Sequence, residues 1–426
     1  MLRTTTLPAA ALLGLTLLAP AGPATAAVTC PGVTATISGT GTVTGTEGDD
    51  VIVADDALTV NALGGNDLIC VTGDTYTDVY AGAGDDVVDA TLATGGVSAT
   101  LGAGADTYRG SANGESVTGG EDDDRDTERD VIDLGSGGFD SVSSGEGGET
   151  NADEIRGEGE LQLFWSGIPT ATSVAHAGTG STFQMLYANE VARLKIDTGA
   201  GYLSTGPGPR LDLDGFTGFS VRGYSTLRQV TILGSNRDES VSLGWNTSAR
   251  VTQRVALRGG DDRLSVGLFA RRSSFSGGDG VDELVAGSRS RVDLDLARER
   301  LTAGSGRKAV RAEANSFEDA RLASSVVTLT GTRRTNDLEV NACRATVHGL
   351  GGRDEITAFI NTPDGARVEC GNGRRTHFLG GPGNDTLVGS AGRDVLVGGP
   401  GRDSANGRQG RDTCQAERRT SCEVRR

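Results

Sequence analysis

Lysine is nearly missing: Lys195 and Lys308 are the only two in 426 residues. Aromatic residues amount to 4%, and there are 3 histidines, His176, His348 and His377, none with a motif partner. The chain holds no H-E-x-x-H sequence and no G-x-S-x-G elbow. The first absence excludes a zincin metalloprotease and the second an α/β-hydrolase lipase. The six cysteines form no C-x-x-C pair and join no histidine cluster, so zinc is not indicated. No apolar run after the leader approaches the roughly 20 residues of a membrane-spanning helix. With 36% hydrophobic residues and 66 glycines, a helical bundle or a doubly wound α/β enzyme is disfavoured. Val, Leu and Ile nevertheless recur in short runs, which argues against a wholly disordered chain.

Positive charge is missing from one segment in particular. Residues 45–160 carry 28 Asp and Glu against 4 Arg and no Lys; the rest carries 29 acidic and 36 basic residues. The net charge of −17 therefore has a single source. That segment repels nucleic acid and attracts cations. The basic excess elsewhere is diffuse, so no nucleic-acid partner is expected.

Residues 1–26 read as a secretory leader: Arg3 is followed by the apolar stretch Pro8–Ala19 and the small-residue site Ala24-Thr25-Ala26. An even number of cysteines behind a leader favours disulfides. The expected pairs are those near in sequence, Cys30–Cys70, Cys343–Cys370 and Cys414–Cys422. A secreted, extracellular protein follows.

Repeats organise the chain. Four tandem nonapeptides stand at the C-terminus: GGPGNDTLV (380–388), GSAGRDVLV (389–397), GGPGRDSAN (398–406) and GRQGRDTCQ (407–415). Glycine recurs at position four, and Asp385, Asp394, Asp403 and Asp412 recur at position six. This pattern resembles the RTX, or haemolysin-type calcium-binding, nonapeptide G-G-x-G-x-D-x-U-x. Looser copies are GTEGDDVIV (45–53), GSGGFDSVS (135–143), GGDGVDELV (277–285) and GLGGRDEIT (349–357). Partial copies centre on Asp67, Asp86, Asp106 and Asp262. A larger duplication relates 42–69 to 328–356 and, in longer form, to 230–264. The expected organisation is a leader at 1–26, an acidic solenoid at 27–156 and an irregular segment or insert at 157–228. A second solenoid segment at 229–379, tandem repeats at 380–415 and a basic tail at 416–426 follow.

Short β-forming pairs such as Val51-Ile52 and Leu387-Val388, bounded by Gly/Asp turns, bury no core alone. Stacked rung on rung they form a continuous interior. The fold expected is therefore all-β, a parallel β-solenoid (β-roll or β-helix) with Gly-Asp turns. In an 18-residue coil, Asp385 stacks on Asp403, and Asp394 on Asp412, along opposite edges. The spacing of 17, 19 and 20 residues between Asp50, Asp67, Asp86 and Asp106 instead suits one turn motif per rung.

Rungs lie about 4.8 Å apart. Two bare carboxylates at that distance repel by roughly 3 kcal/mol at an effective dielectric near 20. Ca²⁺ converts this repulsion into ligation, because it takes oxygen ligands, carbonyls included, in flexible geometry. The candidate calcium ligands are Asp385, Asp394, Asp403, Asp412, Asp354, Asp282, Asp262, Asp50, Asp67 and Asp86. Two metal-free readings stay open: each Asp bonds its own turn, or Arg393, Arg402 and Arg411 at position five neutralise the stack. The acidic run Glu121–Asp130 reads as a solvated loop.

The functional expectation is a non-catalytic, calcium-stabilised extracellular module. The alternative is a calcium-dependent β-helical enzyme or lectin acting on acidic or cell-surface polysaccharide, with Trp165, Trp245 and Tyr224 as sugar platforms or core residues.

Overall fold

Alternation of small polar and apolar residues between Gly/Asp turns produces short strands throughout the chain. In Thr77–Ala83, Thr77, Val79 and Ala81 point inward while their neighbours face out. In Thr386–Val388 only Leu387 turns inward. The computed structural model describes residues 29–120, 127–145, 149–186, 191–222, 226–244, 250–359, 368–370 and 373–425. Among them there is no α-helix, only the 3₁₀ turns Leu296–Arg298 and Gly306–Lys308.

The strands wind into a parallel β-solenoid with two faces. One face runs through Thr77–Ala83, Val97–Ala103, Glu115–Thr118, Phe139–Ser144 and Glu160–Trp165. It ends through Glu355–Ala358, Thr386–Val388, Ser404–Asn406 and Arg418–Thr420. The other begins with Leu68–Gly73, Val87–Ala93, Thr107–Arg109, Val131–Asp133 and Glu154–Arg156. Long strands bend at a corner and serve both faces: in Val51–Asn61, Val51 pairs with Leu68 and Thr59 with Asp78. Left-handed Asp56 (φ 52°) makes that corner.

Face two is stitched at two places by antiparallel strands. Tyr202–Ser204 lies between Arg193–Asp197 and Arg210–Val221. Arg300–Ala303 lies between Glu283–Asp295 and Val310–Asn315. Residues from 157–228 pair into the same sheet as their neighbours on either side.

Parallel in-register stacking places like on like. Ile52, Ile69, Val88, Tyr108, Ile132 and Ile155 form one buried column. Leu338, Ile356, Leu387 and Ala405 form another, and Phe378, Leu396 and Cys414 a third. Each fully buried Ile, Leu or Phe contributes roughly 1.5–3 kcal/mol. No rung is stable alone, so stability accumulates along the column.

The three disulfides pair as expected: Cys30–Cys70, Cys343–Cys370 and Cys414–Cys422. The first anchors the N-terminal strands on the second rung, and the last fastens the C-terminal turn to a buried rung position. Trp165 is fully buried, so it serves the core and offers no sugar platform. Trp245, Tyr224, the leader 1–26 and residues 121–126 of the acidic run lie outside the described residues. Asp130, at the end of that run, is described and is buried. The solvated-loop expectation therefore fails there, because Asp130 belongs to the stack described next.

Candidate metal centre

Each face is entered through a Gly/Asp turn, and the turns stack as the strands do. Position six of each turn is buried at the edge, and its side chain reaches along the solenoid axis. The Asp67 Oδ1 atom accepts the backbone N–H of Asp50 at 2.7 Å. Asp86 accepts from Asp67 and Asp106 from Asp86, both at 2.8 Å. Asp130 and Asp153 continue the series. Six aspartates thus form one ladder, in which each carboxylate holds the rung before it.

A second ladder runs along the edge before face one. Asp262 accepts from Glu239 at 2.7 Å and Asp282 from Asp262 at 2.9 Å. Glu318 accepts from Asp282. The series resumes with Asp354 accepting from Asn336, Asp385 from Asp354 and Asp403 from Asp385. On the opposite edge, Asp394 accepts from Thr376 and Asp412 from Asp394. The tandem repeats accordingly alternate between the two edges, Asp385 with Asp403 and Asp394 with Asp412, as the 18-residue coil requires. Both C-terminal ladders end on glutamates: Asp403 N–H bonds Glu417 and Asp412 N–H bonds Glu423.

One oxygen of each carboxylate is used this way. The other oxygen, Oδ2, finds no donor in Asp67, Asp86, Asp262, Asp282, Asp354, Asp385, Asp403 and Asp412, although each side chain is buried. In water such an atom would hold two hydrogen bonds; leaving it bare inside costs the desolvation of a charged group. Burial accordingly raises the carboxyl pKa values. Asp86, Asp262 and Asp354 are pushed up to about 7, and Asp282 and Asp412 to about 6, with neighbouring ladder carboxylates adding to the effect. Asp67 and Asp385 shift in the same direction for the same reasons.

The bare oxygen lies against glycine at position one wherever that glycine is present. A Cβ on Gly380 would fall on Asp385 Oδ2 and the Gly398 carbonyl; one on Gly349 would fall on Asp354 Oδ2 and the Gly380 carbonyl. Position one must therefore lack a side chain there. The nearest oxygens to the space it leaves are a carboxylate from its own turn and a carbonyl from the next. Among the described residues no three His, Cys, Asp or Glu side chains converge on a point, so carbonyls must supply much of any coordination shell. That donor set suits a hard cation that accepts carbonyls, which is the chemistry of Ca²⁺ and not of Zn²⁺.

Neither metal-free alternative supplies a donor to the eight bare oxygens. Asp bonds its own turn at Asp50, through Thr46 N–H and hydroxyl at 2.8 Å each, and at Asp394, through Ser390 N–H at 2.6 Å. Burial opposes ionisation of Asp50, but hydrogen bonds from Thr46 and Thr36 outweigh it and hold the carboxyl below its ordinary value. At the eight aspartates above, the bond goes to the neighbouring rung instead. Neutralisation by position five fails: Arg393, Arg402 and Arg411 are exposed and make no ion pair with a ladder aspartate. Position five points away from the edge, and there its role is a second, outer ladder, as where Arg402 N–H bonds Asn384 Oδ1 at 2.9 Å.

All ten candidate ligands sit at position six of a stacked turn. The sequence reading left out Asp106, Asp130, Asp153 and the Glu115–Asp140 pair, where Glu115 N–H bonds Asp140 at 2.9 Å. It also left out the terminal Glu417 and Glu423. Asp106 and Asp140 carried the turn signal; Asp130 and Asp153 follow rungs lengthened to 24 and 23 residues, which hides the period.

Residues 379–414 match the family model for the RTX calcium-binding nonapeptide repeat, in four copies. This segment is a calcium-binding repeat, and its cofactor is Ca²⁺. No curated protein matches the chain.

Proposed function

We propose that this chain is a secreted, non-catalytic extracellular module in which Ca²⁺, bound along the aspartate ladders of the whole solenoid, stabilises the fold. The reading is carried by one observation: buried carboxylate oxygens with no hydrogen-bond donor recur from Asp67 to Asp412, at Glu115 and Asp140 as well as at the eight aspartates above. The matched repeats hold only Asp385, Asp403 and Asp412 of these, yet the same unsatisfied atom recurs at Asp67, Asp86, Asp262, Asp282 and Asp354. When bound, Ca²⁺ supplies the positive charge that these oxygens lack.

The chain's own residues supply the rest. Position-six Oδ1 atoms fix the rungs in register. Position-one glycines keep the space beside Oδ2 open. The columns of Ile, Leu and Val make each rung depend on its neighbours. Three disulfides and a leader-like N-terminus support an extracellular setting. A ligand that binds the native state alone stabilises it, so the chain would remain labile where calcium is scarce and consolidate outside the cell. The polysaccharide reading has lost Trp165 as a platform.

Circular dichroism and thermal melting with and without chelator test the proposal. The expected result is a loss of β-signal or a lower Tm in chelator, restored by Ca²⁺ and not by Mg²⁺. An unchanged spectrum and melting point would overturn it.

A further inference from the structure

We propose that position two sets whether a rung takes an ion: a Ser or Thr that bonds the position-six side chain through both its N–H and its hydroxyl closes the rung on itself, while a left-handed residue leaves it open to Ca²⁺. This rests on the calcium reading above and deepens it.

At Asp50, Glu239, Asn336 and Asp394, position two is Thr46, Ser235, Thr332 and Ser390. In all four, the backbone N–H of position two donates to the position-six side chain of the same turn. The hydroxyl does so too. The same hydroxyl oxygen accepts the N–H of position four, from Gly48, Arg237, Arg334 and Gly392. The turn is thus saturated from within: position four bonds the hydroxyl, and the hydroxyl and the position-two N–H bond the acid. No oxygen of these four side chains is left bare.

At the eight open rungs named above, position two is left-handed; Asp140 and Glu115 also keep a bare oxygen, behind Ser136 and Ser111, so a serine at position two does not close a rung by itself. Of the eight left-handed residues, four are glycines, Gly82, Gly278, Gly381 and Gly399, with φ from 109° to 135°. The other four are Leu63, Arg258, Leu350 and Arg408, with φ from 63° to 81°. Left-handed backbone is unfavourable for Leu and Arg, and it persists only where surrounding structure enforces it. Arg408 is held by its guanidinium on the Ala358 carbonyl at 2.5 Å. The conformation turns backbone donors along the axis. Gly381 N–H bonds the Gly398 carbonyl and Gly383 N–H the Pro400 carbonyl, at 2.8 and 2.9 Å. Nothing is then left to reach Oδ2.

Residue choice at position six follows the same division. The eight rungs named above with a left-handed position two all carry Asp. Two of the four closed rungs do not: Glu239 is longer, and Asn336 has no charge to offer a cation. The two replacements of the second glycine in the tandem repeats are therefore not equivalent. Ser390 closes its rung, whereas Arg408 keeps the open conformation.

The test is Ser390→Gly beside Ser390→Ala, with bound calcium counted by native mass spectrometry of the full chain. Glycine at 390 can adopt the backbone of Gly381; alanine loses the hydroxyl but keeps the N–H bond to Asp394. The expected count is one ion more than wild type for Ser390→Gly, with no gain for Ser390→Ala. An unchanged count in Ser390→Gly, or a gain in both variants, would overturn the inference while leaving the calcium reading intact. A wild-type chain that binds no calcium would overturn the calcium reading itself. Should Ser390→Gly not fold, Thr46→Gly at Asp50 puts the same question with the same two outcomes.

Discussion

The N-terminal rungs around Asp67, Asp86 and Asp106 and the C-terminal tandem repeats build the same ladder from different turns. At the C-terminus, position one is glycine throughout, Gly380, Gly389, Gly398 and Gly407, and the carboxylate occupies the space of the missing side chain. At the N-terminus, the same position holds Ala62, Ala81 and Leu101, all fully buried. There the turn contributes to the apolar core; at the C-terminus it contributes to an oxygen-lined cradle. Outer charge differs as well. Residues 45–160 carry almost no cation, whereas the C-terminal turns expose Arg393, Arg402 and Arg411. What the two regions share is position six, with Oδ1 on the neighbouring rung and, at Asp67, Asp86, Asp385, Asp403 and Asp412, a bare Oδ2. The stacked acid is thus the constant element, and the glycine pattern is one of several ways to accommodate it.

Calcium removal should separate the two regions most strongly. A site filled at a hundredfold excess over Kd contributes about 3 kcal/mol to stability. Where acids outnumber bases by 28 to 4, losing that cation leaves the greater repulsion. Segment-resolved hydrogen exchange in chelator should show residues 50–153 losing protection before 380–415. The reverse order would mean that turn chemistry, not regional charge, governs calcium dependence.

Disulfide removal should rank the ends next. Cys30–Cys70 spans 40 residues and Cys414–Cys422 spans 8. Loop-closure entropy gives about 4 kcal/mol for the first and about 2.5 kcal/mol for the second. Denaturant unfolding of the two Cys→Ser double variants should preserve that order; equal losses would show that the C-terminal staple acts on the native end and not on chain entropy.

Gly380→Ala should destabilise by about 1–3 kcal/mol, because the added Cβ meets Asp385 Oδ2 and the Gly398 carbonyl. Alanine is native at the equivalent Ala62, so the same methyl is tolerated in the N-terminal turn. A thermal melt of Gly380→Ala unchanged from wild type would erase the distinction between cradle and core.

Stability should also depend on pH. Asp86, Asp262 and Asp354 have folded values near 7, and Asp282 and Asp412 near 6, against an ordinary value of 3.8. Raised carboxyl values mean that the folded chain binds more protons than the unfolded chain. Their contribution is present below about pH 4 and lost as pH rises through 6 to 7. The calcium-free protein should therefore melt higher at pH 5 than at pH 8. Saturating Ca²⁺ should reduce or reverse that difference, since it replaces the proton at the bare oxygen. A calcium-free melting point that climbs with pH would contradict the ladder geometry.

Much of this was legible in residue order. The nine-residue period of Asp385 to Asp412 implied alternating edges, and the 17-to-20-residue period of Asp50 to Asp106 implied one turn per rung. Cysteine proximity gave the disulfides. The signal failed where the period stretched. Asp130 sat at the end of an acidic run that looked solvated, yet its carboxylate holds Asp106. Glu417 and Glu423 had no glycine turn to mark them. Arg at position five stood open as a metal-free counter-charge, but Arg393, Arg402 and Arg411 are exposed and pair with no ladder aspartate.

Sequence alone determined the parallel stack, because apolar pairs too short to bury themselves must recur in register, and Gly/Asp turns must fall between them. It also determined where acid would accumulate. Only the tertiary structure decided which of those acids keep an oxygen bare. That depends on whether the position-two N–H turns back to its own carboxylate, as at Ser390, or along the axis to the next rung's carbonyl, as at Gly381. The choice follows the backbone angle at position two, which Leu63, Arg258, Leu350 and Arg408 adopt only because the stacked rungs enforce it.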